Sequence, residues 1–137
     1  EIQKIKMGQS HASSDVMQDV RKIGDLSLLT CQLPPTSVKE IRMQADLLRD
    51  RLKSGIVIVG APDETQEKVS LVIMVTQEWS EQFPASDIAA KMAVLIGGTG
   101  GGKPAMAQAG GKRVDQLDAA LEKSAEIIET IRNQKGG

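Results

Sequence analysis

The chain has 137 residues, 40% of them apolar and 26% charged, with 17 Lys and Arg against 18 Asp and Glu for a net charge of −1. That length and mix suit one globular domain burying about two-thirds of its unfolded surface. They exclude wholesale disorder and attraction of polyanions by bulk positive charge, so an anionic partner must be held by a local patch.

One Cys and one His leave no internal disulfide and too few ligands for a zinc site. A catalytic triad or dyad would have to be built on His11, which sits in a polar, Ser-rich stretch. One Trp, one Phe and no Tyr argue against single-strand binding on aromatic platforms. The longest apolar run, 71–75, is far too short to span a bilayer. Glu1 opens the chain and no secretory apolar segment follows it, so the expectation is a piece of a longer protein.

Ile2 and Ile5 look like the last turns of a helix, interrupted by Gly8 and the polar residues after it. Val16, Val20 and Ile23, spaced by four and three, predict a short helix from Asp15 that Gly24 ends. Residues 26–33 read as the first strand, stopped by Pro34 and Pro35. The clearest helix follows. Ser37 and Glu40 form a capping box, Val38, Ile41, Ala45, Leu48 and Leu52 form the apolar stripe, and Gly55 is expected as the left-handed terminator.

Residues 56–59 are apolar on both faces, as in a central strand, and 69–75 return as another after the turn at 61–64. Strand, helix, strand predicts a parallel crossover; strand, short turn, strand predicts a hairpin. Trp79 and Phe83 fall in a loop, Ser86 caps a helix carrying Ile88, Met92, Leu95 and Ile96, and Asp115 caps a last helix through Leu117, Leu121, Ile128 and Ile131. The expected fold class is α/β, a small mixed β-sheet with packed helices. It comprises a helical lead-in over 1–24 and a globular domain over 25–137 with a glycine-rich loop at 97–111.

That loop reads Gly97-Gly98-Thr99-Gly100-Gly101-Gly102-Lys103-Pro104-Ala105-Met106-Ala107-Gln108-Ala109-Gly110-Gly111 and holds seven of the 13 glycines. Bare backbone of this kind can let a phosphate or another main chain approach closely, and Lys103 adds charge. Competing readings are a flexible linker, against which Pro104 and the Met-Ala-Gln-Ala run argue, and a structural loop packed on the sheet. A nucleotide P-loop is excluded, because Pro104 stands where Ser or Thr must bind magnesium and a helix precedes the loop.

The same run closely resembles the signature of the C-terminal domain of alanyl-tRNA synthetases of bacterial type. That domain is related to the DHH-associated domain of DHH-family phosphoesterases. The likeness covers essentially the whole chain, and its specific part is the glycines continued by Ala-Gln-Ala-Gly-Gly. Phosphoesterases of that family would carry His where this chain has Lys103, and their metal-binding Asp and His residues have no counterpart here. The resemblance implies a non-catalytic domain that contacts the outer corner of alanine-specific tRNA and assists aminoacylation and editing in a cytoplasmic alanine–tRNA ligase. ATP, magnesium and zinc would belong to other domains of that ligase, which would be its further partners. Two alternatives stay open: a phosphoesterase substrate-binding domain, and a structural or dimerisation module using Ile2, Ile5 and Val16.

Charge placement adds candidates. No Asp or Glu occurs in 88–114, while Lys91, Lys103, Lys112 and Arg113 do. With Gly100, Gly101, Gly102 and Gln108 they form the first choice of RNA contact, Gln108 being the sole loop candidate for touching a base edge. Four phosphate contacts would give a log–log salt slope of roughly −3 to −4. Lys39, Arg42, Arg49 and Lys53 on the helix from Ser37 are the second choice, weighed against a solvated face in which Asp46 pairs with Arg42 or Arg49. Cys31 is expected to be a buried hydrophobe and Trp79 a lid over the core edge.

Overall fold

Alternating β-branched and apolar segments supply strands, and two of them are buried on both faces because helices cover the sheet on each side. The computed structural model describes residues 17–23 and 26–136. In chain order the elements are β1 (Met17–Ile23), β2 (Leu26–Gln32), α1 (Val38–Leu52), β3 (Ile56–Pro62), β4 (Val69–Val75), α2 (Gln77–Ser80), α3 (Ala85–Leu95), β5 (Gly98–Gly102), β6 (Met106–Gly111), a 3₁₀ turn (Val114–Gln116) and α4 (Leu117–Gly136). The strands form one six-stranded sheet in the order β1-β2-β3-β4-β6-β5.

β2 and β3 run parallel, joined by the α1 crossover, while every other neighbouring pair is antiparallel. The crossover and the β3–β4 hairpin are those expected from the sequence. Ser37 caps α1 by accepting from the Glu40 amide at 3.3 Å. The left-handed residue that ends α1 is Lys53 (φ 70°), not Gly55. Gly55 is required for another reason: a Cβ there would sit 2.1 Å from the Ser27 carbonyl oxygen, which is strand β2 pressing on its neighbour.

Two apolar layers sandwich the sheet. Leu28, Ile58, Leu71, Ile73, Ala107 and Ala109 face α3 and α4, where Ile88, Met92, Ala120 and Ile128 meet them. Leu29, Cys31, Val57, Val59, Val72 and Met74 face α1, contributing Ile41, Ala45 and Leu48. Cys31 is fully buried, and burial pushes its thiol up to about 12, so it is the inert hydrophobe expected. Trp79 packs against the core edge over Phe83, ring centroids 6.0 Å apart, and donates its Nε1–H to Ser54 Oγ at 2.9 Å.

Two expectations need correction, and Trp79, expected in a loop, lies in the short helix α2. Residues 17–23 form strand β1, not a helix. The strand pairs along its length with β2, buries Ile23 in the α4-side core and sets Arg21 against Glu122 of α4. Spacings of four and three cannot by themselves distinguish this edge strand from a helix, since the tertiary pairing decides. The upstream helix containing Ile2 and Ile5, together with Gly8, His11, Val16 and Gly24, lies outside the described residues. The glycine-rich 97–111 segment is a β-hairpin that completes the sheet, not a loop. Smaller shifts occur at helix starts: α3 begins after Pro84, and Asp115 lies in the 3₁₀ turn before α4.

Candidate nucleic-acid interface

β5 and β6 carry the glycines, and most of those glycines have a packing reason. A Cβ at Gly100 would lie 2.7 Å from the Ala89 carbonyl oxygen of α3, one at Gly98 1.7 Å from the Gly110 oxygen, and one at Gly111 2.1 Å from the Ile96 oxygen. Gly102 also needs its positive φ of 153° to enter the tip at Lys103. Gly100 and Gly111 let α3 and its end lie close against the hairpin, and Gly98 and Gly102 let its two strands meet, so the packing part of the structural reading holds for them although the segment is not a loop. Gly101 is different. A Cβ there would meet nothing within 4 Å, and at Gly110 only the Val69 oxygen at 3.7 Å, an ordinary contact.

Strand alternation places Thr99 and Gly101 of β5, and Gln108 and Gly110 of β6, on the face opposite α3. All of β5 is exposed. On this face α1 lies over β3 and β4 and leaves the β6–β5 half open. The result is a groove of about 400 Å³ whose walls include Val38, Ser70, Thr99, Gly101, Gln108 and Gly110.

The α1 stripe borders that open face. Val38 lines the groove beside Ser70 and Gly110. At the other end of the same helical edge, Arg49 donates from Nη1 to Met74 Sδ at 3.7 Å, and Met74 pairs with Met106. Arg42 lies between them, one turn or about 6 Å beyond Val38. Gln108 lies two residues, about 7 Å, from Gly110 along β6. The two sets of cations chosen from sequence thus meet at one surface only in part. Lys39 and Lys112 belong to the end of the sheet where α1 starts and β6 finishes; Lys103 at the hairpin tip and Lys53 belong to the other, about 17 Å away. Lys91 is on the outer side of α3, across the sheet, and the Arg113 side chain lies over Gly97 at the end of α3.

Arg49 is compensated. It pairs with Asp46 at 2.5 Å and lies 3.8 Å from Asp50, which bears out the solvated-face reading for that residue. Lys39, Arg42, Lys53, Lys91, Lys103, Lys112 and Arg113 make no ion pair among the described residues. Nor does the Gln108 amide make a hydrogen bond with one of them. Ser70, Thr99, Val38 and Gly110 were not legible as groove residues from sequence; period-two alternation through the glycines would have been the signal, had they been read as strands. No group of three or more His, Cys, Asp or Glu that could hold a metal ion occurs among the described residues. No helix among them is long and apolar enough to cross a membrane.

Comparison with known proteins agrees with this architecture. The DHHA1 domain family matches residues 25–130. An alanine–tRNA ligase of Chromohalobacter salexigens is 37% identical over 122 residues, 88% of this chain and 14% of the ligase. One of Anaeromyxobacter dehalogenans is 40% identical over 115 residues, 84% of this chain and 12% of the ligase. The chain therefore spans about one-seventh of the length of the curated relatives it matches. The crystal structure of the C-Ala domain from Aquifex aeolicus alanyl-tRNA synthetase superposes with a TM-score of 0.72 at 29% identity, covering 80% of this chain and 97% of that one. On these findings the chain belongs to the DHHA1 domain family and has the fold of the alanyl-tRNA synthetase C-Ala domain.

Proposed function

We infer that this chain is the C-terminal domain of an alanyl-tRNA synthetase and that it binds folded tRNA through the open β6–β5 face. The observation that carries the reading is the frame of Lys39, Arg42, Lys103 and Lys112, exposed and without ion-pair partners among the described residues, around a sheet face made largely of bare main chain. Cations without a carboxylate partner are available to neutralise phosphates and release counterions. A surface of this kind recognises shape and backbone before sequence.

In the parent ligase the domain would engage the outer corner of alanine-specific tRNA, where the D and T loops meet. It would hold one tRNA while its acceptor end is charged with alanine and presented for editing in the cytoplasm. Chemistry with ATP, magnesium or zinc would belong to other domains of that ligase. The test compares two variants of the chain by equilibrium binding to an alanine tRNA transcript. Lys39→Ala/Arg42→Ala/Lys103→Ala/Lys112→Ala removes the frame, and Lys91→Ala/Arg113→Ala removes cations on the other side of the sheet. The first should lose tRNA affinity at least a hundredfold at low salt and the second should lose little. Equal losses would refute this placement of the interface.

A further inference from the structure

We propose, resting on the tRNA-binding reading above, that the β6–β5 groove takes one unstacked nucleobase of the bound RNA, and that Gln108 reads the hydrogen-bonding edge of that base. Three observations converge on the groove. Gly101 and Gly110 line it, yet neither a neighbouring atom nor a positive φ demands glycine at either position. Glycine in a strand interior costs stability relative to Ala, so two such residues on one face keep the floor clear for something that approaches the main chain.

Gln108 rises from that floor half-buried, with its amide donor and acceptor both unengaged by the described residues, and Ser70 and Thr99, which flank Gly110, line the same groove. A carboxamide presents one donor and one acceptor side by side, the pattern that complements a base edge. Arg42, exposed one helical turn beyond the groove residue Val38 and without an ion pair among the described residues, is a cation available to the phosphate that accompanies the base. The volume of about 400 Å³ is at the small end for ligand sites and admits a single planar group, not a helix. Bases available in this way occur where RNA loops splay nucleotides out of the stack.

The experiment measures binding of the wild-type chain, Gln108→Ala, Gln108→Glu and Gly101→Val to two RNAs: the alanine tRNA transcript, and a fully paired, blunt-ended RNA duplex with no loop. Thermal melting of each variant is recorded alongside. Gln108→Ala should weaken tRNA binding by about tenfold to a hundredfold without changing its salt slope, since no phosphate contact is removed. Gly101→Val should weaken it comparably by filling the groove, with no loss of melting temperature. On the duplex both variants should match the wild type. Gln108→Glu, which keeps the size but loses the donor, should weaken tRNA binding as Gln108→Ala does, and it carries the test if the Ala variant melts early. The base site is wrong if these variants bind tRNA as the wild type does, or if they lose affinity equally for both RNAs. In either case tRNA binding itself stands, whereas a wild-type chain with no affinity for either RNA overturns both readings.

Discussion

Replacing Gly100 and Gly101 by Ala, one at a time, separates glycine kept for packing from glycine kept bare for another purpose. At Gly100 the new methyl would lie 2.7 Å from the Ala89 carbonyl oxygen and 2.9 Å from the Ala109 Cβ. Relief requires α3 to move off the sheet, and α3 is held there by Ile88, Ala89 and Met92, all fully buried. Overpacking of this sort costs about 1–3 kcal/mol, against which the loss of glycine's unfolded-state freedom returns about 0.5–1 kcal/mol. Taken at mid-range values the net loss is about 1 kcal/mol, which lowers the melting temperature by about 3–5 °C in a domain of this size. At Gly101 the methyl meets nothing within 4 Å and only the entropic gain remains, so melting should rise by about 2–4 °C. Circular dichroism melts, checked by urea midpoints, measure both. Gly100→Ala melting at or above the wild type, or alongside Gly101→Ala, would refute the packing argument.

Two further outcomes follow from local geometry. Lys53 ends α1 at φ 70°, where an L side chain is strained, so Lys53→Gly should raise stability by about 1 kcal/mol, read as a shifted urea midpoint with an unchanged slope. An unchanged midpoint would show no strain there. Burial works to raise the Asp63 carboxyl, but the Thr65 hydroxyl and the Glu67, Lys68 and Gln66 amides hold it below its ordinary value; hydrogen bonding, foremost from the Ser54 hydroxyl, does the same for Glu78. Both carboxyls thus bind protons more weakly when folded. Their stabilisation is present above their unfolded values near pH 4 and is lost as pH falls through the lowered folded values. The urea midpoint should therefore drop between pH 5 and pH 3, and drop less in Asp63→Asn. An identical drop in that variant would contradict the assignment.

The central architecture was legible because local and tertiary signals coincide there. Residues 56–59 and 69–75 are too apolar to be anything but buried strands, and Ser37, Glu40 and the stripe through Ile41, Ala45 and Leu48 could only be a helix docked on them. The edges were not legible. β1 is an edge strand whose mixed polar sequence suits a helix equally well, and only its pairing with β2 and the Arg21–Glu122 contact across to α4 decide. β5 has almost no side chains, so strand propensity is silent, and its place is set by β6 on one edge and α3 on one face. For the same reason the sequence grouped Lys103 with Lys112 and Arg113 in one loop, whereas a hairpin holds its tip and its base apart. The candidacy of Gln108 rested on its side-chain chemistry; its place in an open groove comes from the fold.

The most direct measurement is the dissociation constant of the chain for alanine tRNA across a series of salt concentrations. With Lys39, Arg42, Lys103 and Lys112 each neutralising a phosphate, log affinity should fall against log salt with a slope of about −3 to −4, flattening towards zero as those four residues are replaced. A slope near zero in the wild type, or no binding at low salt, would contradict the claim that this sheet face is built to hold RNA.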